Sequence, residues 1–281
     1  MYLTVDIGGT KTFIALFDSR HHIVKCVKFP TNQNQDDFLN TFFAHLQDYQ
    51  DVQPVNVVVA VAGVIKNNRP SWFGNLDWHN PPLHETIKKL FTCPVFFIND
   101  ADSATLYESH FYPGKSIYLT FSTGIGGGIA TAPKTLTARS RLATLTPESA
   151  NFEPGHKIYI WNGQPCEWED LASAGAIRHF YDNRPVTTLR GRATFFDIAN
   201  RVAVGLRDII LEHQPDTIIM GGPLALTLRK WRLPLKIILR ESLPANVPLP
   251  KITRAKKPNF CVSYGACLYG EQKAREGVSR G

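Results

Sequence analysis

Residues Asp6 to Thr12 read "DIGGTKT" and lie between two apolar runs, "MYLTVDIGG" and "KTFIALFDS". Both runs have strand composition, and nothing helical separates them. The glycine pair therefore reads as a hairpin turn rather than a strand-to-helix turn. The spacing is not that of a P-loop, G-x-x-x-x-G-K-[ST]. The residue types still suit a phosphate. Gly8 and Gly9 let backbone N–H groups approach an anion closely, Thr10 and Thr12 add hydroxyls, and Lys11 adds a positive charge. Asp6, at a strand end, suits a Mg²⁺-bound water. Taken alone, a tight turn that needs glycine explains the stretch as well.

Moving outward, "HHIVKCVKF" reads as a third strand. "NQDDFLNTFFAHLQDYQ" reads as a helix, with Phe38, Leu39, Phe42, Phe43 and Leu46 at helical spacing. "VNVVVAVAG" suits a strand buried on both faces, "PPLHETIKKLF" a helix and "CPVFFIND" a strand. Antiparallel strands followed by alternating strands and helices imply a mixed sheet covered by helices. A second half begins near residue 115 and also opens strand–glycine turn–strand, "KSIYLTFSTGIGGGIATA". The polar stretch from residue 133 to 156 has no periodicity and reads as an irregular loop. Helices are expected at 167–183 and 194–213, the second with an apolar stripe of Phe195, Ile198, Val202, Leu206, Ile209 and Ile210. "DTIIMGG" follows as a strand. "SYGACLYGEQKAR" closes the chain as a helix that returns to the first half.

The chain has 281 residues, 43% hydrophobic and 11% aromatic, ample for a buried core in one large or two small domains. No apolar run approaches the ~18 residues of a membrane span, and no signal peptide is expected at the start. Five scattered cysteines suit free thiols, so a cytoplasmic protein is expected. The 31 basic residues exceed the 24 acidic ones, for a net charge of +7. They are dispersed, apart from small clusters at "KITRAKK" and "LRGR", and no nucleic-acid-binding signature accompanies them. An anionic small ligand explains local positive charge equally well.

Two further glycine signals support that ligand. "STGIGGGIA" places Ser122, Thr123, Gly124, Gly126, Gly127 and Gly128 between two strands, where glycine costs entropy and packing. "IIMGGPLA" ends a buried strand on Gly221 and Gly222, baring backbone to a flat ligand such as adenine. With all three in order, the chain resembles the ROK family (repressors, open reading frames, sugar kinases) of the actin-like ATPase superfamily, from residue 3 to about 270. The resemblance extends to the family's sugar pocket through "GNLDW" (Asn75, Leu76, Trp78), "IND" (Asn99, Asp100), "EPGH" (Glu153, Gly155, His156) and "EDLASAG" (Glu169, Ser173).

The pocket also has a reading from residue chemistry. Asn75, Asn99, Glu153 and Glu169 can each bond vicinal sugar hydroxyls. Asp100 follows the buried run "PVFFI", at the carboxyl end of a strand where α/β sites collect. It reads as a helix N-cap, as Asp102 also does, or as a general base; the resemblance favours the base. Beside Glu153, His156 reads as a sugar contact, and Trp78 as packing.

The resemblance implies two α/β lobes of ribonuclease H-like topology around a cleft. The smaller is expected at 1–110 plus 264–281 and the larger at 111–263. It implies ATP across the three glycine segments with Mg²⁺, a hexose as acceptor with glucose the first expectation, and a homodimer. Kinases of N-acetylhexosamines or fructose, and a sugar binder without turnover, are the alternatives. No membrane or nucleic-acid partner is expected, since the phosphate loop at residue 6 leaves no room ahead for the DNA-binding domain of ROK repressors. Many family members hold a structural zinc on the ExGH histidine and three cysteines. Here only Cys166 follows His156, so no structural zinc is expected. The loop from 131 to 152 is also longer than the family usually shows.

Overall fold

The computed structural model describes residues 1–74, 76–134 and 143–278. The chain divides into two compact units, Met1–Tyr107 with Asn259–Gly281, and Glu108–Pro258.

The first unit is built on β1 (Tyr2–Ile7), β2 (Lys11–Phe17), β3 (Ile23–Pro30), α1 (Gln35–Gln47), β4 (Val57–Val61), the ribbon β5 (Gly63–Lys66) and β6 (Arg69–Phe73), α2 (Leu83–Lys88), β7 (Val95–Asn99) and the start of α3 (Asp100–Ser109). Its five-stranded sheet has the order β3-β2-β1-β4-β7. β1, β2 and β3 are antiparallel, as the glycine turn and the third apolar run predict. β4 and β7 run parallel to β1.

Every residue of β4 is buried, which its unbroken apolar run foretold. On one face α1 inserts Phe38, Phe42 and Leu46, one stripe at four-residue spacing, with the Trp78 ring tilted against Phe38, their centroids 4.3 Å apart. Trp78 is therefore core packing, as expected. Asn34 starts α1 by accepting from Asp37 N at 3.0 Å. The ribbon β5–β6 was not expected. It turns at Asn67 and Asn68, both at positive φ, a conformation that asparagine tolerates.

The second unit comprises β8 (Gly114–Phe121), β9 (Ile125–Ala132), the short β10 (Thr144–Leu145), the ribbon β11 (Ile158–Trp161) and β12 (Gln164–Glu167), α4 (Trp168–Ala172), α5 (Ala174–Phe180), α6 (Arg192–His213), β13 (Thr217–Gly221), α7 (Gly222–Ala225), α8 (Leu228–Ser242) and β14 (Lys251–Arg254). The sheet order is β10-β9-β8-β13-β14, with β13 parallel to β8 and β14. α6 lays its expected stripe, Ile198, Val202, Leu206, Ile209 and Ile210, into a core shared with Trp168, Trp231, Leu235 and Leu239.

Three expectations change here. The helix read at 167–183 is two helices, because Ser173 takes extended backbone (ψ 160°) between them and its hydroxyl accepts from Ala176 N. The stretch read as an irregular loop contains β10 paired with β9 and 3-10 turns at Pro147–Asn151 and Pro154–His156; residues 135–142 lie outside the described residues. The ribbon β11–β12 was missed, although Asn162-Gly163 is a strong hairpin signal.

The closing helix α9 (Cys261–Val278) belongs to the first unit and packs on β1 and β4. Ser103 Oγ donates to Val262 O at 2.7 Å, and Asn56 Nδ2 to Gly270 O at 2.8 Å. Among the described residues no helix is long and apolar enough to cross a membrane.

Candidate functional site

In the first unit, the parallel strands β1, β4 and β7 bring sequence-distant carboxylates together at their carboxyl ends. The register aligns Ile7 with Val61 and Val61 with Asn99, so Asp6 is one residue short of the rim and Asp100 one residue beyond it. Burial, then the charge of Asp100, push the Asp6 carboxyl up to about 7, with Lys28 opposing. A buried carboxyl beside a second carboxylate is costly to ionise, so the place favours a cation.

Asn99 rather than Asp100 caps α3. Its Oδ1 accepts from Ala101 N at 2.8 Å and Asp102 N at 3.1 Å, and its Nδ2 donates to Gly63 O at 2.8 Å. Capping by Asp100 or Asp102 is thus corrected, because the side chain one residue before the helix reaches both amides. Asp100 Oδ1 accepts from Ala101 N at 2.8 Å. Asn75 lies outside the described residues.

The Gly8–Lys11 turn closes through Gly8 N donating to Lys11 O at 3.1 Å. Thr31 N donates to Thr10 O and Gln33 Nε2 to Gly9 O, which braces the turn from the segment after β3. Lys11 and Thr10 are exposed at its tip.

In the second unit, Glu153, His156 and Glu169 come together, and Glu167 joins them unforeseen. His156 Nδ1 lies 2.9 Å from Glu167 Oε2 and 4.0 Å from Glu169 Oε1. The hydrogen bond to Glu167 is the largest influence on the His156 imidazole and raises its pKa. Desolvation raises Glu153, with His156 opposing and Glu169 adding. Glu169 Oε2 also accepts from Ile125 N at 3.1 Å, tying this cluster to the start of β9.

The donors of His156, Glu167 and Glu169 lie within 4.8 Å of one another. They are one imidazole and two carboxylates, a poor match to a thiolate-rich structural zinc site. Strand alternation explains why Cys166 does not join: Glu167 faces His156, so its neighbour on β12 turns to the opposite side, where Cys166 packs against the core.

The glycines of β9 and β13 have a second explanation beside ligand approach. A Cβ on Gly127 would sit 2.7 Å from Phe152 Cε1 and 2.8 Å from Tyr118 O. One on Gly124 would sit 2.5 Å from Glu169 Oε2, and one on Gly221 would strike the Tyr118 hydroxyl. Gly222 has φ +77°, a backbone open to glycine. Packing within the unit therefore demands glycine at Gly127, Gly221 and Gly222, whatever ligand is present, whereas at Gly124 only the flexible end of Glu169 stands in the way.

These loops border a cavity of ≈ 270 Å³, lined by Ser122, Thr123, Gly175, Arg178, Val186 and Pro223 among others. It joins two of the three glycine segments, the β8–β9 turn and the end of β13. Arg178, Val186 and Pro185 were missed, because no pattern in the sequence links the 3-10 turn Val186–Thr188 to the glycine loops.

The ROK family model matches residues 2–229, and the chain belongs to the ROK family. The chain is 28% identical over 262 residues to glucokinase of Thermotoga maritima, covering 78% of this chain and 80% of that protein. It is 28% identical over 197 residues to glucokinase of Streptomyces coelicolor, a match that spans 66% of this chain and 60% of that protein. It is 31% identical over 150 residues to N-acetylmannosamine kinase of Salmonella paratyphi B, covering 50% of this chain and 51% of that protein. Among solved structures, a ROK family glucokinase from Streptomyces griseus in complex with glucose and AMPPNP superposes with a TM-score of 0.73 at 21% identity, over 96% of this chain and 99% of that one. The mixed α/β fold with two five-stranded sheets is that of the ROK kinases, the actin-like ATPase fold.

Proposed function

We propose that this protein is a sugar kinase that transfers the γ-phosphoryl group of ATP to a hydroxyl of a hexose, with glucose as the leading substrate. The observation that carries the reading is the Asp6–Asp100 pair at the carboxyl ends of β1 and β7, where one carboxylate can serve a cation and the other a proton. Asp100 takes the proton of the attacking hydroxyl as that oxygen bonds to the γ-phosphorus and ADP departs. Asp6 is the residue that would hold Mg²⁺, whose role when bound is to neutralise phosphate charge. The tip of the Gly8–Lys11 turn, with Thr10 and Lys11, and the β8–β9 turn at Thr123, Gly124 and Gly126 take the phosphates. The cavity bounded by Arg178, Val186 and Pro223 takes the nucleoside. Glu153, His156 and Glu169 take sugar hydroxyls.

The relatedness to N-acetylmannosamine kinase supports a second reading, an N-acetylhexosamine as acceptor. A coupled ADP-release assay over glucose, mannose, fructose, N-acetylglucosamine and N-acetylmannosamine tests both. Glucose is expected to give the highest kcat/KM. A clear preference for an N-acetylated sugar selects the second reading, and no ADP with any sugar overturns both. The five free cysteines fit the reducing cytoplasm in which such an enzyme would act.

A further inference from the structure

The second unit carries the chain's positive charge. Residues 108–258 hold 20 basic and 12 acidic residues, against 11 and 12 in the rest. The excess is concentrated on α8, where Arg229, Lys230, Arg232, Lys236 and Arg240 face a single acid, Glu241. Among the described residues none of these five, nor Arg192 at the start of α6, pairs with a carboxylate.

α6 and α8 lie side by side. Arg207 Nε donates to Ser242 O near their C-terminal ends, and Lys230 lies over the Phe195 ring, 5.4 Å from its centroid, near their N-terminal ends. Between them runs a groove of ≈ 770 Å³. Its apolar lining includes Phe195, Phe196, Leu233, Pro234 and Ile237. Phe196 is 47% exposed, Leu233 69% and Ile237 44%, so hydrophobic surface is left uncovered along one line. The one acid in the lining, Asp197, is already neutralised: Arg201 Nε and the Tyr181 hydroxyl each donate to it at 2.8 Å. Arg192, Arg229 and Lys230 are left as cations along an apolar trough.

We propose that this groove is a docking site for an acidic polypeptide segment of a partner protein, one that lays apolar residues at helical spacing between α6 and α8. Charge complementarity sets the sign of the partner. The concave form suits a helix-in-groove complex rather than a planar bilayer. The apolar floor offers little to a phosphate backbone. A second copy is disfavoured, because a two-fold interface here would bring two faces of the same positive charge together.

The test is selection of random peptides displayed against the full chain, followed by fluorescence anisotropy of the selected peptides. Two variants accompany it, Arg229→Glu with Lys230→Glu, and Leu233→Asp. Acidic residues in the first turn of α8 favour the helix, and Leu233 is mostly exposed, so both variants keep wild-type melting and hexose turnover. The expected result is enrichment of Asp and Glu with apolar residues three or four apart. Binding weakens at least tenfold against each variant and weakens with salt. Selected peptides that are not acidic, or that bind the variants as tightly as wild type, overturn the proposal. So does tighter, equally variant-sensitive binding to phosphatidylglycerol vesicles or to a single-stranded oligonucleotide. A wild-type dimer that becomes monomeric in both variants by sedimentation overturns it as well and assigns the face to self-association.

Discussion

Asp100 and Asn99 divide between them two tasks that adjacent residues often share. Asn99 caps the helix start, and Asp100 Oδ1 accepts from Ala101 N beside it. Asn at position 100 keeps an oxygen for that bond, so Asp100→Asn should leave the melting temperature close to wild type. If Asp100 is the base, kcat should fall by about 10²–10⁴, roughly 3–5 kcal/mol of transition-state stabilisation, with KM for sugar little altered. Glu153→Gln should instead raise KM with a smaller loss in kcat. Turnover by Asp100→Asn within a few-fold of wild type would move the base elsewhere.

Asp6 gives a prediction in pH. Its folded pKa of about 7 lies above the ordinary carboxylate value, so the folded chain holds this proton more tightly than the unfolded one. The contribution of this group to stability is greatest near pH 4, declines as pH rises towards 7, and is constant above. Asp6→Asn should match wild type at pH 4 and melt a few degrees higher at pH 8, at roughly 2–4 °C per kcal/mol for a chain of this size. Thermal melts of both proteins from pH 4 to 8 check this. Equal melting temperatures at pH 8 would mean that the burial and the Asp100 charge that hold the Asp6 carboxyl up are relieved without a ligand.

Among the elements, β9 shows how a glycine run can mislead. Gly127→Val should unfold the protein or lower its melting temperature sharply, because its side chain would meet Phe152 and the β8 backbone. Gly126→Val is the variant that tests nucleotide approach. A loss of ATP-analogue affinity by calorimetry with melting preserved is expected there, and unchanged affinity would leave the glycine to the turn alone. The ribbon β11–β12 carries a second prediction. Since alternation turns Cys166 into the core, elemental analysis of the purified protein should find well under one zinc per chain. Stoichiometric zinc would overturn this and point to His156, Glu167 and Glu169 as its first candidate ligands.

The same elements mark what was legible in the sequence. β4 and α6 could be read because burial on both faces and a single apolar stripe leave distinct periodicities. Trp78 could be assigned to packing from its type alone. The break at Ser173 was hidden, because "EDLASAGAIRHF" has good helix formers on both sides and the break depends on one hydroxyl capping Ala176. Glu167 was hidden for a different reason. Its meeting with His156 follows from the hairpin register, which places residues 158 and 167 opposite each other, and register is a pairing property that no single stretch displays. The Asp6–Asp100 pair depends in the same way on the parallel order β1-β4-β7.

On the scale of the whole molecule, the return of α9 to β1 and β4 gives the two units different histories during synthesis. The second unit is one continuous stretch, Glu108–Pro258, whereas the first is completed only by Asn259–Gly281. A ribosome releasing residue 258 has delivered everything the second unit needs, while β1, β4 and β2 still lack the helix that covers one face. The first unit must wait, with Phe13, Phe17 and Val58 uncovered, until the last helix emerges. The fragment 108–258 should accordingly fold cooperatively when expressed alone, with a single thermal transition. A chain stopped at residue 258 should bind a hydrophobic dye strongly and aggregate, yet retain that same transition. If the fragment fails to fold, the second unit depends on the first and the order of assembly is reversed.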